Sequence, residues 1–174
     1  MRILGIDPGL ATIGLGVVET SSAHDIEVVE WLTITTAGSN RADRLREIHH
    51  DLGAFLDECR PELGVVEKLF FAVNVRTGMA VAEARGVILL SLAERMIPII
   101  EPTPLQLKSC ITGDGQAEKD RVQDMLVRML RLKEIPKPDD AADALALAAY
   151  GALNQRSLHE MHQITNSKEI TKFQ

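Results

Sequence analysis

Cysteines, aromatic residues and long apolar runs are all scarce in this chain of 174 residues. The two cysteines, Cys59 and Cys110, lack the spacing of a zinc site, and we expect reduced cytosolic thiols rather than a disulfide. No apolar stretch reaches the roughly 18 residues that a membrane-spanning helix needs, so no membrane association is predicted. The run from Ile3 to Ile6 is too short for the apolar segment of a signal peptide, and we expect a cytoplasmic protein.

Positive charge is also in short supply, because 25 Asp and Glu residues outnumber 19 Lys and Arg residues and leave a formal net charge of −6. At first sight this balance argues against nucleic acid as a partner. The charge is uneven, however: residues 1–67 carry a net −7, residues 68–133 carry +3 and residues 134–174 carry −2. The middle third therefore either presents a local basic surface to phosphates or is a solvated face without a partner.

The remaining composition is that of an ordinary globular protein, with 45% hydrophobic and 25% charged residues. The length is most simply that of one domain with a sizeable core. We assign residues 1–153 to this domain, because hydrophobic periodicity ends there. Residues 154–174 form a polar C-terminal tail without strong periodicity, and we expect it to be loosely ordered.

The hydrophobic pattern predicts an α/β protein with a mixed five-stranded sheet and helices on both faces. Predicted strands cover residues 2–6, 12–20, 26–36, 63–67 and 97–101, with a turn at Ser21-Ser22 between the second and third. Predicted helices cover residues 41–59, 77–96, 103–110 and 119–132, and a last helix runs to about residue 153. Asp139 or Asp140 is expected to be the N-cap of that last helix.

Four carboxylates stand at the ends of short apolar runs. Asp7 follows Ile3 to Ile6, Glu67 follows Leu63 to Val66, and Asp140 and Asp143 open an alanine-rich stretch. A charged group within a buried run would be costly, whereas at its end it can reach one rim of the sheet. Each acid also has a simpler explanation: a turn at Asp7, a surface ion pair between Glu67 and Lys68, and capping acids at the last helix.

Taken together, the four acids point to a divalent metal site. Carboxylate oxygens are hard ligands that suit Mg²⁺ or Mn²⁺ rather than Zn²⁺, and the five scattered histidines offer no competing cluster. Gathered carboxylates repel each other, so a dense cluster normally implies a cation between them. Two such ions about 3.5–4 Å apart can activate water and stabilise the leaving oxygen of a phosphodiester.

The ordered motifs along residues 1–153 resemble the RuvC family of Holliday-junction resolvases, which have a ribonuclease-H-like fold. The resemblance begins in the run from Ile3 to Gly9 with Gly14 and Gly16, and it recurs at residues 66–74. It continues at residues 84–87, which read Ala-Arg-Gly-Val, at residues 115–119, and at residues 140–146. The first motif alone is unspecific, whereas the full ordered set is highly specific.

This resemblance implies that Asp7, Glu67, Asp140 and Asp143 form a catalytic tetrad that binds Mg²⁺, two ions per active site, with Mn²⁺ able to substitute. It also implies that Lys119, and less directly Lys108, lie near the scissile phosphate. A lysine there would neutralise charge that grows on phosphate oxygens in the transition state. The simpler explanation of Lys119 is a solvated residue in the first turn of a helix, where the helix dipole disfavours a cation.

Further positions are candidates for DNA contact. Phe70 matches a family aromatic that stacks on bases at the junction, and such stacking is worth about 1–3 kcal/mol per base. Phe71 is expected to pack under the loop. Lys68 and Arg76 are candidates for phosphate contacts, although either could be plain surface. The acidic overall charge predicts junction binding that is weaker or more salt-sensitive than in basic relatives.

The resulting prediction is a metal-dependent endodeoxyribonuclease that resolves four-way DNA junctions by symmetric paired nicks in recombination and repair. Paired cuts call for a two-fold axis and hence a homodimer, with the helix predicted at residues 77–96 as a candidate interface. The resemblance also implies the RuvA–RuvB branch-migration complex as a further partner. The rivals are a noncatalytic junction-binding protein, an RNA-processing ribonuclease-H-like factor, and an ATP-binding protein with a similar first phosphate loop.

Overall fold

The computed structural model describes residues 1–22, 25–69 and 75–154, without the side chains of residues 75–77. Within these ranges the strands are β1 (Arg2–Asp7), β2 (Thr12–Ser22), β3 (Asp25–Thr35), β4 (Leu63–Val66) and β5 (Ile99–Ile100). The helices are α1 (Arg41–Cys59), α2 (Val75–Glu94), α3 (Pro104–Thr112), α4 (Lys119–Met129) and α5 (Asp139–Leu153).

The strands form one mixed sheet in the order β3-β2-β1-β4-β5. Strand β2 pairs antiparallel with both β1 and β3, while β4 pairs in parallel with both β1 and β5. This arrangement confirms the five-stranded α/β fold predicted from the sequence. It also brings the C-terminal ends of β1 and β4 side by side at one edge of the sheet.

The sheet has a hydrophobic core on each face, because successive side chains of a strand point to opposite sides. Leu4 and Ile6 of β1 face the core formed with α1 and α2. Ile3 of β1 faces the second core, which contains residues of α3, α4 and α5. Helices therefore cover both faces, and the two cores fix β1 rigidly between them.

Helix α5 lies unusually close to β1 and β2 because glycines face it. A Cβ at Gly5 would overlap the carbonyl oxygen of Ala144, and one at Gly14 would overlap the carbonyl oxygen of Asp140. At Gly16 it would lie 2.6 Å from the Cα of Leu145. The α5 atoms nearest to these three positions are almost all backbone atoms, so the helix backbone packs almost directly on the backbone of the strands.

Several predicted boundaries are wrong in detail. The strand predicted at residues 97–101 has only two residues, since Pro98 and Pro102, which lack an N–H donor, flank it. Ser21 and Ser22 belong to β2 rather than to a turn. Helix α4 ends at Met129 instead of 132, because Arg131 adopts a left-handed conformation with φ of 53°.

The predicted cap of the last helix is also wrong. The N-cap is Pro138, which has no side-chain capping bond, and Asp139 and Asp140 lie inside the first turn. Carboxylates in that turn still face the positive end of the helix dipole, so the electrostatic part of the prediction holds.

The helix α5 ends at Leu153, where the predicted domain ends, and the tail from residue 155 lies outside the described residues. The division into a domain and a tail therefore stays a prediction. None of the helices that the structure describes is long and apolar enough to cross a membrane.

Candidate active site

Two strand ends carry the first pair of acids. Asp7 is the last residue of β1, and Glu67 directly follows the last residue of β4. The preceding residues, Ile6 and Val66, are register partners in the parallel pair. Asp7 and Glu67 therefore emerge next to each other at the same edge of the sheet, as their positions after apolar runs predicted.

Helix α5 carries the second pair of acids to the same edge. Asp140 and Asp143 are three residues apart, which places them on one side of the helix. The close contact between the backbone of Asp140 and Gly14, a register partner of Asp7, fixes the start of the helix above the end of β1. We call these four residues, Asp7, Glu67, Asp140 and Asp143, the acidic cluster.

The charges of the acidic cluster act on one another. Burial raises the pKa of Asp7 from its ordinary 3.8 to about 7, and repulsion from Asp143, Glu67 and Asp140 adds to this rise. Burial likewise raises the pKa of Glu67, with a further contribution from Asp143 and an opposing one from Lys108. The cluster thus holds more negative charge than its surroundings compensate, which is the electrostatic condition that favours a bound cation.

Two lysines lie beside the acids. Lys119, the first residue of α4, donates from Nζ to Oδ2 of Asp143 at 3.1 Å and to Oδ2 of Asp139 at 3.3 Å. Burial lowers the pKa of Lys119, but these two hydrogen bonds and the charges of their acceptors outweigh that effect and raise it. Lys119 therefore keeps its positive charge as a hydrogen-bond donor. About half of its side chain is exposed and accessible to a ligand.

Lys108 is placed by a well-defined short helix. Thr103 and Gln106 form a capping box at the start of α3, and Pro104 occupies its first turn. Lys108, one turn later, is half-buried, and its charge lowers the pKa of Glu67 against the effect of burial. It therefore sits on the Glu67 side of the cluster, whereas Lys119 sits on the Asp143 side.

The acids and the lysines share one open cavity of about 300 Å³. Its wall combines charged groups with apolar side chains from α3, α4 and α5: Asp7, Glu67, Pro104, Leu107, Lys108, Lys119, Val122, Asp143, Ala146 and Leu147. Asp140 is outside this lining and influences the site through its charge on Asp7. Five of the six residues predicted to be catalytic thus meet in one cavity.

The chemistry of the cluster fits a hard divalent cation, because all four side chains offer carboxylate oxygens. Within residues 1–22, 25–69 and 75–154, however, no group of three or more His, Cys, Asp or Glu residues is arranged to hold a metal ion. Asp143 is instead hydrogen-bonded to Lys119. The acids are gathered but do not form a closed cage, so binding of a cation needs side-chain rearrangement.

The predicted DNA contacts are only partly covered by the structure. Lys68 is exposed, directly after Glu67, and its backbone N–H donates to the carbonyl of Pro102 at 2.9 Å. Phe70 and Phe71 lie outside the described residues, and so does the side chain of Arg76 in the first turn of α2. Their proposed roles stay predictions.

Sequence reasoning missed two residues of this region. Asp139 was considered only as a cap, yet it shares the amine of Lys119 with Asp143. Arg85, within the Ala-Arg-Gly-Val motif, was given no role, yet it donates from Nε to the backbone carbonyl of Glu67 at 3.0 Å. The motif itself was the available signal for Arg85, whereas nothing in the sequence distinguished Asp139 from a surface acid.

Comparison with known proteins supports the family suggested by the motifs. The family model for "Crossover junction endodeoxyribonuclease RuvC" matches residues 3–150. The enzyme of that name from Carboxydothermus hydrogenoformans is 45% identical over 91% of this chain and 99% of its own length. The one from Caldicellulosiruptor saccharolyticus is 41% identical over 91% of this chain and 96% of its own length.

A solved structure agrees with the same family. Thermus thermophilus RuvC in complex with a Holliday junction substrate superimposes with a TM-score of 0.83 and 34% identity, covering 90% of this chain and 96% of that one. This likeness confirms the ribonuclease-H-like fold. With the family model matching most of its length, the chain belongs to the RuvC family of crossover junction endodeoxyribonucleases.

Proposed function

We propose that this chain resolves Holliday junctions as a metal-dependent endodeoxyribonuclease in recombination and repair, and that the acidic cluster is its catalytic centre. Membership of the RuvC family supports the activity, and the solved complex of the Thermus relative with a junction supports four-way DNA as the substrate. The observation that carries the assignment of residues is the meeting of Asp7, Glu67 and Asp143 with two lysines in one open cavity.

Asp7, Glu67, Asp140 and Asp143 would hold the divalent ions, which we propose to be two Mg²⁺, with Mn²⁺ able to substitute. When bound, such ions make a water molecule nucleophilic and stabilise the leaving oxygen of the phosphodiester. Burial of Asp7 and Glu67, which raises the pKa of both, supports this role. A cation that enters would relieve the repulsion between these acids and compete with Lys119 for Asp143.

The lysines would act on the substrate. If Asp143 turned towards a cation, Lys119 would keep only one of its two acceptors, and its amine would be free to donate to a phosphate oxygen. Its half-exposed position and raised pKa suit a donor that stays charged throughout the reaction. Lys108, on the Glu67 side, would supply a second positive charge. Both would stabilise charge that is larger in the transition state than in the bound substrate.

Residues next to the cavity would bind the junction. Lys68 is exposed beside Glu67 and is proposed to contact the DNA backbone. Phe70 would stack on an unpaired base, and Arg76 would contact phosphate. These contacts would supplement the modest attraction expected from a chain with a net charge of −6.

Paired incision supports the proposal of a homodimer, because symmetric cuts on two strands require two catalytic centres related by a two-fold axis. Helix α2 exposes Met79 and Leu90, with 56% and 53% of their surfaces accessible, and is the proposed interface element. The RuvA–RuvB complex is proposed as a further partner, and a cytoplasmic location is expected. The noncatalytic, RNA-processing and ATP-binding alternatives are disfavoured by a family whose members are named as junction endonucleases.

A synthetic four-way junction, labelled on each strand in turn, tests this function. Wild-type protein with Mg²⁺ should cut opposite strands symmetrically and leave 5′-phosphate and 3′-hydroxyl ends, and a chelator should abolish cutting. Asp7→Asn should bind the junction without cutting it. Cleavage by Asp7→Asn at the wild-type rate would contradict the assignment, and binding without cleavage by both proteins would favour the noncatalytic alternative.

A further inference from the structure

We infer that Arg85 is a positioning residue that fixes the backbone at Glu67 and thereby aims the Glu67 carboxylate into the acidic cluster. This inference rests on the proposed role of Glu67 in the catalytic centre. It arises from a side chain outside the cavity lining, on a helix that carries none of the four acids.

The contacts of Arg85 converge on the end of β4. Its Nε donates to the backbone carbonyl of Glu67 at 3.0 Å, and its Nη2 forms an ion pair with Oε1 of Glu101. Only 15% of the side chain is exposed, so the guanidinium is largely withdrawn from water. A buried cation is stable only when hydrogen-bond acceptors surround it. The guanidinium of Arg85 therefore depends on both of these partners.

The second partner ties a further segment to the same place. Glu101 immediately precedes Pro102, whose carbonyl accepts the backbone N–H of Lys68 at 2.9 Å. Both polar groups of the Glu67–Lys68 peptide unit are therefore held, its carbonyl by Arg85 and its N–H by Pro102. The held segment continues into α3, which carries Lys108, so Arg85 connects α2 to both chain segments that bring Glu67 and Lys108 to the cavity.

These contacts compensate for the small number of strand hydrogen bonds at this end of β4. The strand β4 ends at Val66, and its partner β5 has only two residues, Ile99 and Ile100. Glu67 therefore lies beyond the last ladder bonds and would turn freely without other restraints. Groups that orient a metal-binding carboxylate commonly change metal affinity or activity by about 10–100-fold when they are removed.

A lysine cannot replace this function, because its single ammonium group does not reproduce the flat fork that serves a carbonyl and a carboxylate together. Arg85→Lys and Arg85→Gln are therefore the test variants. Arg95→Gln is the matched control, since Arg95 directly follows α2, is 25% exposed, and pairs with Asp57 at 2.7 Å far from the cluster. Glu67→Gln reports separately on the proposed function.

Two measurements distinguish positioning from general stability. The first is hydrogen–deuterium exchange in metal-free protein, in peptides that cover residues 66–69. Both Arg85 variants should exchange faster there than wild type, whereas Arg95→Gln should not. The second is the Mn²⁺ concentration for half-maximal cutting of a synthetic junction, which should rise roughly 10-fold in both Arg85 variants at unchanged junction affinity. Arg95→Gln should lower only the thermal midpoint.

The outcomes separate the two claims. If Glu67→Gln cuts like wild type, the role of Glu67 is wrong and the positioning role falls with it. If Glu67→Gln is inactive but Arg85→Lys keeps wild-type exchange and metal dependence, only the inference about Arg85 is overturned. Equal shifts in Arg85→Gln and Arg95→Gln, in proportion to lost stability, would also overturn it. Should Arg85→Gln fail to fold, Arg85→Lys and Glu101→Gln carry the test.

Discussion

The amine of Lys119 is hydrogen-bonded to the carboxylate of Asp143 at 3.1 Å, which joins the first residue of α4 to the second turn of the acid-bearing helix α5. Asp139 shares the same amine at 3.3 Å. Lys119 thus holds two acidic partners, of which only Asp143 belongs to the acidic cluster. In the proposed mechanism, entry of a divalent ion at Asp143 would therefore release this lysine towards a phosphate.

This link predicts the behaviour of Lys119→Ala. Cutting should fall by about 100-fold, since a donor aimed at transition-state charge typically contributes that much. Junction binding should fall far less, because one phosphate contact is a small part of the total. Single-turnover cleavage and gel-shift titrations, with the exposed Lys133→Ala as control, measure the two effects. Equal losses in cutting and binding would reduce Lys119 to a binding contact.

The raised pKa of Asp7 predicts a pH-dependent stability effect. A folded-state pKa of about 7, above the ordinary 3.8, means that protonated Asp7 stabilises the fold below about pH 4 and that this stability is lost as the pH rises through 7. Asp7→Asn should therefore increase the free energy of unfolding of metal-free protein at pH 8, by an order of 2–4 kcal/mol, and by less at pH 5. Urea unfolding with a chelator at both pH values measures it.

Asp57→Asn is a control whose effect on stability should have the opposite sign to that of Asp7→Asn. The hydrogen bond from Arg95 lowers the pKa of Asp57, so its ionised form stabilises the fold, and Asp57→Asn should destabilise the protein at pH 8. Added Mg²⁺ should stabilise wild type but not Asp7→Asn, because a ligand that binds only the folded state raises stability. A gain from Asp7→Asn that is the same at pH 5 and pH 8 would contradict the electrostatic explanation.

The tight contact between β2 and α5 predicts that Gly14→Ala is severe. The added methyl group would overlap the carbonyl oxygen of Asp140, so the start of α5 must shift and carry Asp140 and Asp143 with it. We expect a loss of stability of about 1–3 kcal/mol from overpacking, and cutting that falls even where the protein stays folded. Thermal unfolding and junction cleavage test both parts.

Gly53→Ala is the matched glycine control for Gly14→Ala. In α1 its new methyl group would meet only the end of the Arg95 side chain at 3.0 Å, which can move aside. Cutting should stay at the wild-type level, and better helix propensity should offset the crowding. Full activity of Gly14→Ala would show that the glycine contact does not position the acids.

The proposed dimer predicts the effect of a charge on α2. Leu90→Glu should convert the protein to monomers, because it places a carboxylate on the proposed apolar interface. Val29→Glu, on the exposed side of β3, should leave the oligomeric state unchanged. Sedimentation velocity measures the mass, and a supercoiled cruciform substrate shows whether the two nicks become uncoupled. A Leu90→Glu protein that sediments like wild type would remove α2 from the interface.

The sequence located Asp7 and Glu67 well because strand ends follow from apolar run length, which is a local property. The fold followed for the same reason, together with the resemblance along residues 1–153. The pairing of Lys119 with Asp139 could not be predicted, since it depends on how α4 approaches α5 in space. The N-cap at Pro138 was missed because local preference favours Asp139 or Asp140 as a cap, whereas Pro138 offers no side-chain capping group.

The glycines that face α5 have a consequence for any attempt to transplant the proposed catalytic centre into another scaffold. The distance from Asp143 to Asp7 is set by backbone lying on backbone, with no side chain between them to trim or enlarge. Copying the four acids alone would leave them too far apart. A working graft must also carry Gly5, Gly14 and the alanines opposite them. These residues have neither charge nor reactivity, yet they set the distances between the acids.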